Sequence, residues 1–148
     1  LWVLLHLARS AWAVPGGMLA DRYGRPPLIL AGWLVYAAAY AGFAAATNAW
    51  MMWPLFLLYG LHAGLTEGAE RALVADMVGP ENRGRAFGAF HLAVGLGALP
   101  ASLLTGFVWK ASGPAAAFGI GAGFAAFGAL VLASWPGLLR RPAPQVGG

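Results

Sequence analysis

Hydrophobic residues fill this sequence in long runs, which are separated by short polar breaks. A helix that crosses the hydrocarbon core of a bilayer needs about 20 residues, and five of the runs reach that length. None of them shows the alternation with period two that is typical of a half-buried strand. The pattern therefore predicts an all-α fold, a polytopic bundle of five transmembrane helices. These helices are expected near residues 1–20, 27–46, 49–78, 84–109 and 114–135.

The amino-acid composition also indicates a membrane protein. Of the 148 residues, 60% are hydrophobic and 9% are charged, whereas soluble domains have about 45–50% and about 25%. So few charges cannot cover a surface that faces water, which excludes a soluble globular domain. Because the sequence has no cysteine, disulfides, thiolate catalysis and cysteine-ligated metals are excluded too.

The basic residues indicate how the helices are oriented. They lie at the breaks rather than on one face, so the net charge of +4 predicts no nucleic-acid partner. Six arginines fall on one side of an alternating five-helix path, against Lys110 on the other. By the positive-inside rule, the arginine side is cytoplasmic in the cell membrane (inner or plasma membrane). The chain then divides into a bundle over 1–137 and a cytoplasmic tail over 138–148. The six arginines are Arg22, Arg25, Arg83, Arg85, Arg140 and Arg141.

The third run carries most of the charge inside the predicted bundle. Glu67, Glu70 and Arg71 are spaced i, i+3 and i+4, so they share one helix face. A charge in lipid costs at least about 2.5 kcal/mol, so this face is expected to point into the bundle or into a water-filled cavity. Asp76 lies near the cytoplasmic edge, which puts Glu67 about 13.5 Å deeper along the helix.

A charge in the first run is expected at a similar depth. Arg9 precedes Asp21 by twelve residues, or about 18 Å of helix, so Arg9 and Glu67 can meet. We predict a substrate or proton site here, with no metal and no cofactor. A structural alternative pairs Glu67 with Arg71 along one helix and Glu70 with Arg9 across two helices. The predicted site residues are Glu67, Glu70, Arg71, Arg9 and His62, the histidine being the weakest because such a residue is more often simply hydrogen-bonded in a bundle.

The distribution of polar residues also suggests which helices face inward. The first, third and fourth runs contain nearly all the polar groups and are expected to line an interior, whereas the second and fifth are expected to face lipid. Gly60 and Gly64 continue the charged stripe of the third run and allow close approach of another helix or of a substrate. Gly119 and Gly123 have the same spacing and predict close helix packing in the fifth run.

Two of the cytoplasmic breaks resemble loops of a known family. Residues 17–25 read GMLADRYGR and resemble the signature loop G-x-L-A-D-R-x-G-R-[RK] of the major facilitator superfamily, with a departure at Pro26, where that family usually has a basic residue. Residues 80–88 read PENRGRAFG and resemble the loop with R-G-x-x-x-G that follows two helices later in the same family. The resemblance spans nearly the whole chain.

The resemblance implies a function and a cytoplasmic gating motif. It implies secondary transport of a small-molecule or ion substrate by alternating access, with protons as one possible coupling ion. Charge pairs between the loops would hold the cytoplasmic side closed, Arg22 and Arg25 pairing with Asp76 or Glu81 and Asp21 accepting hydrogen bonds from an arginine or a helix N-terminus. The gating motif comprises Gly17, Asp21, Arg22, Gly24, Arg25, Asp76, Arg83 and Gly84.

The resemblance further implies that the chain is part of a longer transporter. Because the signature loop occurs once in each six-helix half, the chain matches helices two to six or helices eight to twelve. We favour eight to twelve, the C-terminal half, so the partners are the lipid bilayer and a missing N-terminal half. A non-transporting remnant or interaction module is an alternative. An enzyme is disfavoured because the three histidines lie on different runs and neither H-E-x-x-H nor G-x-S-x-G occurs.

The predicted orientation can be tested with single cysteines, because the native chain has none. Ala49→Cys is expected to react with an impermeant maleimide added outside intact cells, and Asn82→Cys is expected to react only after the membrane is opened. The reverse labelling pattern would invert the predicted topology.

Overall fold

The computed structural model describes residues 1–135 and Gly137, and over these residues the chain is helical with no β-strand. The all-α prediction is confirmed for this part of the chain. The predicted tail over 138–148, with Arg140 and Arg141, lies outside the described residues. The elements are α1 (Trp2–Tyr23), α2 (Arg25–Ala45), a 3₁₀ turn (Ala49–Met51), α3 (Met52–Asp76), a second 3₁₀ turn (Pro80–Asn82) and α4 (Arg83–Ala133).

The longest element, α4, contains a break. Gly113 has φ 84° and ψ 176°, which is far from helical geometry and is accessible chiefly to glycine. Pro114 follows it, and a proline disfavours the helical region for the residue before it while fitting the first turn of a new helix. The predicted fourth and fifth helices therefore correspond to the parts of α4 on either side of Gly113. The rings of Trp109 and Phe118 lie 5.7 Å apart across the break, although nine residues of straight helix would span about 13.5 Å.

The short connections follow from local sequence chemistry. Gly24 has φ 93° and donates its N–H to the carbonyl of Ala20 at 2.9 Å, which ends α1. Pro26 and Pro27 occupy the first turn of α2, where a missing N–H is tolerated. The Asn48 side chain accepts a hydrogen bond from the N–H of Met51 at 3.2 Å and so caps the 3₁₀ turn that precedes α3.

The helices pack in an order that differs from their order in the chain. The main contacts join α1 to α3, α3 to α2, and α2 to α4. A buried apolar cluster ties the first three helices together near the ends of α1 and α3 and the start of α2. Its members are Ala20, Leu28, Ile29, Leu65 and Ala69.

A glycine seam, defined here as Gly16, Gly60 and Gly64, brings α1 and α3 into close contact. A Cβ atom at Gly64 would lie 2.6 Å from the Cβ of Trp12 and 2.8 Å from the carbonyl oxygen of Arg9. A Cβ atom at Gly60 would lie 2.6 Å from the Cβ of Ala8, and one at Gly16 would lie 2.7 Å from the carbonyl oxygen of Gly64. The two glycines of α3 therefore accommodate another helix, which was one of the two roles expected of them.

Different glycines mediate the contact between α4 and α2. A Cβ atom at Gly121 would lie 2.6 Å from the ring of Tyr40, and one at Gly128 would lie 3.3 Å from the ring of Trp33. A Cβ atom at Gly119 or Gly123 would meet nothing within 4 Å. The packing predicted for Gly119 and Gly123 is therefore not made here, because those two positions lie on the other face of the helix.

The part of α4 before Gly113 is the least covered segment of the described chain. Every residue from 91 to 107 is exposed, and most of them are apolar. Two helical segments among the described residues, Arg25–Ala45 and Pro80–Ala133, are long and apolar enough to cross a membrane. Helices α1 and α3 are also long, at 22 and 25 residues, but carry the polar side chains that form the site described below.

The glycine seam predicts that alanine substitutions at two glycines of α3 differ in their effect on the free energy of unfolding. Gly64→Ala is expected to lower the free energy of unfolding by about 1–3 kcal/mol, because the new methyl group overlaps backbone atoms of α1. Gly68→Ala is the matched control, since a Cβ atom there meets nothing within 4 Å, and it is expected to be neutral or to stabilise by up to about 1 kcal/mol. Denaturant titration in detergent or in nanodiscs measures both, and equal losses would contradict the seam.

Candidate functional site

An ion pair joins α1 and α3 next to the glycine seam. The Nη2 atom of Arg9 lies 2.5 Å from the Oε2 atom of Glu67, and the two side chains are 42% and 38% exposed. The structure therefore brings Arg9 and Glu67 together, as their similar predicted depths allowed. The pairs of the structural alternative, Glu67 with Arg71 and Glu70 with Arg9, are not the ones formed. Such a charge-assisted hydrogen bond is stronger than a neutral one.

Glu70 has a neutral partner on the other side of α3. The indole N–H of Trp33, from α2, donates to the Oε1 atom of Glu70 at 3.1 Å. Glu67 and Glu70 thus point to different neighbours, one toward α1 and the other toward α2. Arg71 is exposed and forms no ion pair with any residue that the structure describes.

His62 has a structural contact in the bundle. Its Nδ1 atom lies 2.9 Å from the carbonyl oxygen of Gly32, so the ring nitrogen donates to the backbone of α2. The hydroxyl of Thr66, which is 2% exposed, donates to the carbonyl oxygen of His62 at 3.0 Å. Gly32 is needed here, because a Cβ atom at that position would overlap the methyl group of Thr66. The His62 bond joins α3 to α2, whereas the Thr66 bond lies within α3.

A groove of about 1240 Å³ lies beside these residues, between α3, α2 and both parts of α4. Glu67, Glu70, His62 and Thr66 line it from α3. No residue of α1 lines it, whereas α2 and the second part of α4 do. This differs from the expected division into interior and lipid-facing helices. The reason is that α2 lies between α3 and α4 and contributes aromatic side chains rather than charges.

Aromatic rings form much of the groove wall. Trp33, Tyr36 and Tyr40 follow one another at i, i+3 and i+7 and so share one face of α2. The rings of Tyr36 and Tyr40 are stacked with centroids 4.2 Å apart. Tyr59 of α3 lies 5.8 Å from Tyr36 and 5.9 Å from Tyr40, and Phe118 of α4 lies 5.5 Å from Tyr40.

These aromatic residues are the part of the site that the sequence-based prediction omitted. A search for charged residues passes over α2, because that helix has no charge after Arg25. The signal that would have found it is the helical spacing of the ring-bearing residues on one face of an otherwise alanine-rich segment.

The predicted gating motif is brought together only in part. Arg25, at the start of α2, forms an ion pair with Asp76 at the end of α3. The guanidinium of Arg22 lies 5.4 Å from the ring centroid of Tyr23, within the range of a cation–π contact. Asp21 is exposed and forms no ion pair among the described residues.

The remaining motif residues lie in the second half of α1, between α1 and α2, and in the first turn of α4. Gly24 supplies the positive φ that separates α1 from α2. Gly17 and Gly84 are exposed, and a Cβ atom at either would meet nothing within 4 Å. Arg83 is exposed at the first turn of α4. In the part of the chain that the structure describes, no three histidine, aspartate or glutamate side chains converge so that they could hold a metal ion.

Comparison with known proteins identifies the family. The family model described as Major Facilitator Superfamily matches residues 4–147. An uncharacterized MFS-type transporter of Methanocaldococcus jannaschii is 36% identical over 112 residues, which cover 76% of this chain and 28% of that protein. The multidrug resistance protein MdtH of Klebsiella pneumoniae is 35% identical over 101 residues, covering 68% of this chain and 25% of that protein.

The matches to these relatives cover most of this chain but a small part of each relative. The chain spans about a quarter of the length of the curated relatives it matches. The family match, by contrast, extends over nearly the whole chain and includes both loops that resemble family motifs, the helices between them and the groove. Members of this family are membrane transporters. The chain belongs to the major facilitator superfamily.

Proposed function

We propose that this chain forms part of a secondary active transporter, which moves a small solute across the cell membrane by alternating access. The observation that carries the proposal is the pair of α3 carboxylates, Glu67 bound to Arg9 and Glu70 exposed to the groove. Ionisable groups inside a membrane bundle are expensive and mark substrate or proton pathways.

The proposal assigns different roles to the two carboxylates. Glu67 is neutralised by Arg9 at rest, so protonation of Glu67 would release Arg9 and loosen the contact between α1 and α3. That is how a proton, or another coupling ion, could be linked to helix movement. Glu70 is held by the neutral indole of Trp33 and is the group in the groove that is free to meet a solute.

The other partner of this chain is proposed to be the remainder of the same transporter. Transporters of this family are built from two six-helix halves that rock around a central site. We assign the chain to helices eight to twelve, as five membrane-spanning helices with α4 counted as two. The exposed apolar residues over 91–107 that do not line the groove would then face lipid or the remaining helices.

The ion pair between Arg25 and Asp76 is proposed to stabilise one of the two states. It joins the start of α2 to the end of α3 on the side that the arginine distribution predicts to be cytoplasmic. An ion pair exposed to water contributes at most about 1 kcal/mol, so it can bias a conformational equilibrium without fixing it. Asp21 and Arg22 remain available for contacts with other helices.

Two other functions are less well supported. A remnant or interaction module without transport activity would explain the short match to the relatives, but it gives no role to charged groups that line a groove. A membrane-embedded enzyme would need a nucleophile beside a base, and His62 instead donates to a backbone carbonyl.

The role of Glu67 can be separated from that of its ion pair. In proteoliposomes with the complete transporter and an imposed pH gradient, Glu67→Gln is expected to reduce proton-coupled uptake at least tenfold, because the amide cannot carry the proton. Adding Arg9→Gln removes the unpaired cation and is expected to restore stability but not coupling. Glu81→Gln, an exposed carboxylate outside the groove, is the matched control. Unchanged coupling in Glu67→Gln would remove Glu67 from the mechanism.

The Arg25–Asp76 pair predicts rescue by exchange of charge. Arg25→Asp and Asp76→Arg are each expected to lower the initial transport rate several-fold, because each places two like charges side by side. The double variant is expected to recover at least half of the original rate. Glu81→Arg makes the same change of charge at an exposed loop carboxylate that forms no ion pair with Arg25, so it should have little effect. A double variant as slow as the single ones would show that the two side chains act separately.

A further inference from the structure

We infer that the groove binds a large monovalent organic cation that carries aromatic or other apolar groups, and that Glu70 supplies the counter-charge. The inference rests on the proposed function, because it names the substrate class of the same site. It depends on three properties of the groove that are independent of any relative: its net charge, the chemistry of its walls and its size.

The charge of the groove is negative by one unit. Among its described lining residues, Glu67 and Glu70 are the acidic ones, and neither lysine nor arginine is present. Arg9 reaches Glu67 from α1 and cancels its charge. Glu70 receives a hydrogen bond from the neutral Trp33 indole only, so its charge remains uncompensated in the described structure. A carboxylate that is withdrawn from water strongly favours a cationic partner.

The aromatic walls of the groove favour a cation. Trp33 places an indole directly beside the Glu70 carboxylate, and Tyr36 and Tyr40 continue the same face of α2. An aromatic face attracts a cation within about 6 Å, and tryptophan does so most strongly. A cation near Glu70 would therefore gain from the carboxylate and from the neighbouring rings together.

The groove also sets the size and orientation of the ligand. Its volume of about 1240 Å³ exceeds the range of about 300–1,000 Å³ that is typical of pockets for drug-sized molecules. On α3, Tyr59 lies eleven residues before Glu70 and on nearly the same face, about 16.5 Å away along the axis. A ligand with its charge at Glu70 can therefore extend an apolar part toward Tyr59 and Phe118.

Other ligand chemistries fit less well. An anion would be repelled by Glu70, and a neutral apolar molecule such as a lipid chain would leave that carboxylate without a partner. A bare metal ion would need several oxygen or nitrogen ligands, and the described residues offer no group of three that could hold one. The arrangement of one carboxylate among aromatic rings favours a large cation whose charge is spread over apolar groups.

A pair of ions with the same shape and opposite charge tests the inference. The chain, reconstituted in nanodiscs of neutral phosphatidylcholine, would be titrated with radiolabelled tetraphenylphosphonium or tetraphenylborate. We expect saturable binding of tetraphenylphosphonium and at least a tenfold loss of affinity in Glu70→Gln. That amide can still accept the Trp33 hydrogen bond, so the fold is expected to be kept. Tetraphenylborate should show no component of binding that depends on Glu70.

Two further variants keep the test decisive. Glu81→Gln removes an exposed carboxylate outside the groove and should leave tetraphenylphosphonium binding unchanged. Tyr36→Leu removes an aromatic face without changing charge and is expected to weaken tetraphenylphosphonium binding several-fold, which gives a second measurement if Glu70→Gln does not fold. Equal binding of both ions, equal affinity in the native chain and Glu70→Gln, or no binding at all would overturn the inference.

The binding and transport measurements together distinguish failure of the cation-binding inference from failure of the proposed transport function. If the complete transporter moves a solute but this chain shows no Glu70-dependent binding of tetraphenylphosphonium, the cation preference is wrong and transport stands. If binding depends on Glu70 but the complete protein moves no solute in proteoliposomes, the groove is a cation site and the proposed transport is wrong.

Discussion

Close contact between α1 and α3 is the constraint on which the rest of the structure depends. Gly60 and Gly64 remove side chains from one face of α3, so the backbone of α1 approaches to a distance that no Cβ atom would permit. Arg9 is thereby carried to Glu67, and a carboxylate in the middle of an apolar helix acquires a counter-charge. Without this approach both charges would remain unpaired in surroundings where each is expensive.

Arg9 neutralises Glu67 from one side of α3, and the opposite side of α3 contacts α2. Helix α2 packs there through Gly32, whose missing side chain makes room for Thr66, and His62 donates to the Gly32 carbonyl. The same helix presents Trp33 to Glu70. The two carboxylates, three residues apart in sequence, consequently lie in different electrostatic surroundings. This separation is the basis for assigning one to coupling and the other to solute binding.

The two parts of α4 contribute unequally to this arrangement. Both parts line the groove. The part after Gly113 also packs on α2 through Gly121 and Gly128, whereas the part before it is exposed over 91–107. The break at Gly113 turns the chain so that Phe118, after the break, contacts Trp109, before it. In a transporter of two halves, a weakly held helix of this kind is suited to movement between states.

The helical fold and the approximate helix positions follow from the sequence, because long apolar runs, glycine and proline breaks and the cap at Asn48 act through local chemistry. The sequence also singled out Arg9, Glu67 and Glu70 as unusual, since charge in an apolar run is conspicuous. Tertiary structure alone decided which partner each of them has. Pairing depends on the rotation and depth of neighbouring helices, and these are fixed by contacts between residues far apart in the chain. For the same reason the aromatic face of α2 becomes part of the groove wall only in the tertiary structure, where α2 lies between α3 and α4.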